Sequence, residues 1–212
     1  LYSSTATISV LARKSRKASE QEATDYVAAM LLAVSMMFLR FMILILIFSR
    51  EIFLSIYPYL LTMAVVAAIV AWFIHSRQKR PEDQSAETEE DDSSNPLEFK
   101  VALIFAVLFV IFTFLTHYTL VYAGTGGLNL LSFVSGFSDI TPFILNLLQN
   151  TGSVAALIIT ACSMQAIISN IMVNMFYALF FAGKGSKLRP WILGGFGVVI
   201  ACNLVLLLFF YL

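Results

Sequence analysis

The chain has 212 residues, 59% of them hydrophobic and only 12% charged, about half the charged share of a soluble domain. Mean hydropathy is +0.86, and 13 Lys and Arg balance 13 Asp and Glu. This composition excludes a soluble globular domain and offers no basic face for nucleic acid; the bilayer itself is the expected partner.

The opening segment 1–12 is rich in hydroxyls and reads as the back half of an element whose front is missing. The start at Leu1 without Met fits a piece of a longer polypeptide. Spans of about 20 apolar residues are expected near 26–48 and 55–75. Arg40 sits in the middle of the first, VAAMLLAVSMMFLRFMILILIF. Residues 76–98 form a charged linker with a dense acidic run, expected to be disordered and cytoplasmic. It ends at Asn95-Pro96, a helix-start signal. Further spans are expected near 99–123, 154–183 and 191–212, with Trp72 and Trp191 as interfacial anchors. Between them, 128–149 is interrupted by Ser135, Gly136, Ser138, Asp139, Thr141 and Pro142. These runs are too long and uniformly apolar for barrel strands. The fold class is therefore an all-α polytopic membrane protein, with about five full transmembrane helices plus a broken or re-entrant segment.

An internal repeat is expected. Ser3 and its neighbours match the Asp139 region, and Ser35 to Arg40 match Ser169 to Asn174. Residues 1–75 form one half and 99–212 the other. Basic residues cluster at 13–17, at 77–80 and at 184–189. The positive-inside rule puts all three on the cytoplasmic side. That is consistent only if 128–149 enters and returns on one side, which makes the halves inverted, a common transporter architecture.

Ionisable groups at membrane depth are costly and face protein or water-filled paths. Asp139 is the candidate ion, proton or metal ligand, with Ser135, Ser138 and Thr141 as supporting oxygens of the kind hard cations take. Its side chain is equally suited to capping a half-helix. Arg40 is expected to neutralise Asp139, with anion binding or a wet cleft as the other readings. Ser3, Ser4 and Thr5 would sit opposite, beside Asn170 and Asn174, which also suit bridging between helices. Gln165 and Ser163 fall one or two turns away. His117 reads as an interfacial residue, or a proton relay. Cys162 and Cys202 read as buried small hydrophobes. No nucleophile–base pair or metal-ligand cluster points to an enzyme, and no cofactor is expected.

Several strings together, SSTA at Ser3, MFLR ending at Arg40, NPLEF at Asn95, SGFSDITP at Ser135 and SN-x-x-x-N at Ser169, resemble the integral-membrane family catalogued as domain of unknown function 4010. The resemblance covers essentially the whole chain. It implies a place C-terminal to an MgtC/SapB-like membrane domain, a prokaryotic plasma membrane, and a link to magnesium or other ion homeostasis. The family commonly carries a second acid where Thr141 stands and a lysine where Asn174 stands. The function expected is a transporter-like module moving a small ion, such as Mg2+ or another divalent cation, or an H+-coupled one, through a midplane site. The alternative is a non-transporting regulatory or scaffolding module. A homo-oligomer fits either.

Overall fold

The computed structural model describes residues 4–15, 20–76, 97–149, 154–183 and 188–211. Ser3, nearly all of the charged linker, and the cations Arg16, Lys17, Lys184 and Lys187 lie outside them, as does the side chain of Ser4. Every described element is helical: α1 (Ser4–Ser15), α2 (Glu20–Phe48), α3 (Arg50–Ser76), α4 (Leu97–Ser135), α5 (Thr141–Gln149), α6 (Ala156–Ala182) and α7 (Arg189–Tyr211). Among the described residues, five segments are long and apolar enough to cross a bilayer: 24–48, 50–76, 106–124, 156–182 and 189–209.

The third expected span does not stop at 123. It continues into the interrupted stretch as one element that changes direction at Gly124 (φ 60°, ψ −149°), a backbone conformation open essentially to glycine alone. The change is a reversal. A methyl added at Gly127 would overlap the side chain of Thr119, eight residues earlier; in a straight helix those positions lie about 12 Å apart. Residues 126–135 therefore fold back along the first part of α4.

Contacts with α6 fix the direction of that short arm. Cys162 Sγ lies 3.5 Å from Asn129 Oδ1 and Gln165 Oε1 lies 2.8 Å from Ser132 Oγ. Ser169 donates to the Phe133 carbonyl (2.6 Å), and Asn170 to the Gly136 carbonyl (3.1 Å). Numbers rise together, so 126–135 runs parallel to α6. From Asn170 back to the start of α6 is about 21 Å at 1.5 Å per residue, and the nine residues of α5 cover about 13 Å of that return. Residues 126–149 thus form a hairpin of two short helices that comes back toward its own beginning.

The remaining directions follow from similar pairs. Ser35 donates to the Ala64 carbonyl and Asp25 meets His75, so α3 runs against α2. Gly195 packs on Leu31 and Ile74, and Tyr59 donates to Asn203, so α7 runs against α3. Thr5 lies beside Asn170 and Arg13 stacks over Phe181 (4.4 Å), so α1 runs with α6. Helices α1, α3 and α6 share one direction; α2, α5 and α7 take the other.

Helix α6 is the central post. In the 18-residue apolar core of its span 72% of residues are buried, against 39% in those of α2 and of α3, 28% in that of α7 and 11% in that of 106–124. It packs against α1, α3, α4, α5 and α7. The interior is mainly apolar, with Phe38, Phe41, Phe143 and Phe196 among its largest fully buried side chains, and it also buries a set of Ser, Thr and Asn side chains, several of them on α6.

Candidate functional site

The break between the two short arms positions the acid. Residues 136–140 leave the helix, and α5 begins at Thr141. Pro142 fits there because the first turn needs no donor from it. Asp139 Oδ1 accepts the Thr141 amide (2.9 Å) and the Thr141 hydroxyl (2.6 Å), a local side-chain cap. A negative charge at a helix N-terminus is stabilised by the unsatisfied amides there. The capping role expected for Asp139 is therefore the one its geometry shows.

Opposite, Arg40 Nη2 on α2 donates to the Thr141 hydroxyl and lies 3.8 Å from Asp139 Oδ1. Thr141 stands between base and acid: its oxygen accepts from one and its proton goes to the other. The two charged side chains are 28% and 35% exposed, so neither is sealed away. The guanidinium also lies 5.3 Å from the centre of the Phe41 ring, a partly desolvated cation–π contact. Among the described residues, this leaves Asp139 Oδ2 and the other guanidinium N–H groups without a hydrogen bond.

These groups line a small, part-open cleft with room for about one water, with Thr5, Met37, Phe41, Ile140 and Asn170 also in its wall. The cleft draws on α1, α2, the break and α6, so four separate chain segments meet at one charged pair.

The neutral candidates divide. Asn170 Nδ2 donates to the Gly136 carbonyl and sits 3.4 Å from the Ser138 carbonyl; its Oδ1 accepts from Asn174 Nδ2 (3.1 Å). Asn170 both edges the cleft and satisfies the carbonyls freed by the break. Asn174 is fully buried, and its Oδ1 has no partner among the described residues. Ser135 donates to the Ser132 carbonyl (2.7 Å) and Ser138 to the Ser135 carbonyl (3.2 Å). Both hydroxyls are turned back onto their own chain, and neither lines the cleft. Ser163 donates to Ile159 (2.8 Å), away from the cleft, and His117 is exposed beside Tyr118. Gly136 is a close-approach position, where an added methyl would overlap the Ser169 side chain and the Asn170 amide.

Two polar contacts escaped the sequence reading. Buried Tyr59 donates to buried Asn203, which donates in turn to the Val199 carbonyl (3.0 Å). Asn129 and Ser132 face Cys162 and Gln165. The signal for both was present: a lone Asn within each of two otherwise apolar runs.

Five helices of membrane-spanning length around an interior charged pair define an integral membrane protein. The chain belongs to the family described as domain of unknown function DUF4010, whose model matches residues 1–182. An uncharacterized protein of Aquifex aeolicus (strain VF5) is 26% identical over 115 residues, covering 53% of this chain and 50% of that protein. The chain thus spans about half the length of the curated relative it matches. No solved structure matches.

Proposed function

We propose that the chain is a transport module of a prokaryotic plasma membrane, and that a small ion or ionic solute passes through the cleft between Arg40 and Asp139. The observation that carries this reading is the Arg40–Thr141–Asp139 cluster at the junction of two half-length helices inside the bundle. Opposite charges at that depth are expensive to maintain, and here both retain unused bonding capacity toward a cleft. The matched triplets α1–α2–α3 and α5–α6–α7 run in opposite directions helix by helix, which supports an inverted pair of the kind that alternates access around a central site.

Cargo follows from charge. A divalent cation would meet one free carboxylate oxygen with a guanidinium close beside it, an unfavourable set for an ion that wants six or more oxygens. A proton, or a solute that exchanges partners with the pair, fits better. The direct test is current across liposomes holding the whole chain, under proton, Mg2+ and small-solute gradients. Asp139→Asn is expected to abolish the current, and undiminished current would remove Asp139 from the mechanism.

A second reading, a module that scaffolds or regulates a partner such as an MgtC/SapB-like domain or a second copy of itself, draws on the largely uncovered span at 106–124. Co-purification of such a partner, with no current under any gradient, would favour it.

A further inference from the structure

We propose that the Thr141 hydroxyl is a positioning group: it bridges Arg40 and Asp139 and holds them short of direct contact, so that the pair joining α2 to the break can part and re-form instead of locking. The inference rests on the transport reading and concerns how its central site is worked.

The first argument is geometry. Arg40 Nη2 donates to the Thr141 hydroxyl, which donates in turn to Asp139 Oδ1 at 2.6 Å. Nη2 itself stays 3.8 Å from Oδ1, beyond the roughly 2.7–2.9 Å of a charge-assisted N–H···O bond. The hydroxyl thus takes the bond from the nitrogen nearest the acid. It can serve both charges because it accepts and donates at once.

The second argument is which segment each bond belongs to. Asp139 accepts from the Thr141 amide (2.9 Å) and hydroxyl, and both bonds travel with the start of α5. The bond from Arg40 is the one that crosses to α2. Movement of α2 relative to the break would leave the Asp139 cap whole and give up a bond to a neutral oxygen. A direct guanidinium–carboxylate fork would be different. Each of its bonds is roughly twice as strong as a neutral one, and opening it would strand two charges inside an apolar bundle. An alternating site could not turn over easily around such a clamp.

The third argument is what lies beside the pair. The cleft has room for about one water, and no other charged residue lines it. When the pair parts, a water can meet Asp139 Oδ2 or an Arg40 N–H, and no second acid or base in that wall competes for either.

The test compares Thr141→Ala with Thr141→Ser in the whole chain. Thr141→Ala removes the hydroxyl, leaves the backbone amide on Asp139, and brings in a good helix former, so α5 keeps its start. Liposome current under imposed proton and Mg2+ gradients should fall about tenfold in Thr141→Ala and stay within about twofold in Thr141→Ser, which restores the bridge. The second readout is the coupling between the charges. It comes from melting of Arg40→Gln, Asp139→Asn and the double variant, made with Thr141 present and again with Thr141→Ala. Loss of the hydroxyl should raise that coupling by about 3 °C, because the guanidinium then bonds the carboxylate directly. Current lost with coupling unchanged would overturn the proposal in favour of a plain helix-start role, as would equal loss in Thr141→Ser or failure of Thr141→Ala to fold. Current that Thr141→Ala carries undiminished would overturn the positioning role and leave the transport reading standing. No current from the unaltered chain under either gradient would overturn both, and a rise in coupling would then assign Thr141 to stability alone.

Discussion

Helices α2 and α6 are the two long spans that carry polar groups to the cleft, and they do so in opposite ways. Helix α2 supplies one full charge, Arg40, on the less buried span, and keeps that charge beside a part-open cleft. Helix α6 supplies neutral amides, Asn170 and Asn174, on the more buried span, and joins them to the carbonyls of the break, with the Asn174 Oδ1 left without a partner among the described residues. The contrast follows from desolvation. An amide can be buried when its partners are at hand, whereas a guanidinium with spare donors needs water or a ligand nearby. The α6 groups therefore read as architecture and the α2 group as chemistry.

Four substitutions sharpen or break that division. The largest effect belongs to Arg40→Gln, which should reduce liposome current to background. The protein should stay folded, at a cost of about 1–3 kcal/mol for one charged hydrogen bond, checked by melting in detergent. A variant that unfolds outright would move Arg40 into the architectural class. Next is Asn170→Leu, which strands the Gly136 carbonyl, the Asn174 amide and the contact with the Ser138 carbonyl. It should cost about 2–4 kcal/mol in a denaturant titration, and a neutral result would break the claim that α6 is structural. Ser35→Ala removes the bond from α2 to the Ala64 carbonyl and should cost about 0.6 kcal/mol, the usual scale for such bonds inside membranes. The smallest effect is His75→Ala. That exposed pair with Asp25 (2.8 Å) should contribute under about 1 kcal/mol, within the scatter of the same melting assay.

Much of this was legible in the sequence, for identifiable reasons. Long apolar runs specify spans because a bilayer leaves few alternatives, and Arg40 and Asp139 stood out because charge at that depth is rare. The clustered Gly, Ser and Pro at 135–142 marked the break. The roles of Ser135 and Ser138 were not legible. Hydroxyls in helices often bond back to carbonyls three or four residues earlier, and nothing in composition separates that habit from ligation. The boundary at 124 was obscured because apolar character continues through the reversal, and only the backbone of Gly124 reveals it. Thr141 looked like one more oxygen near Asp139; that it stands between acid and base depends on α2, about a hundred positions away in sequence, and no local pattern encodes it.

The hairpin at 126–149 has a consequence for how the protein is made. Each arm is too short to cross a bilayer alone, and the carbonyls of Gly136 and Ser138 at its tip accept from Asn170, which leaves the ribosome some thirty residues later. Lipid cannot replace that donor. The hairpin must therefore wait at the membrane surface or in the insertion machinery until α6 emerges, so its entry follows that of α6, which acts as its template.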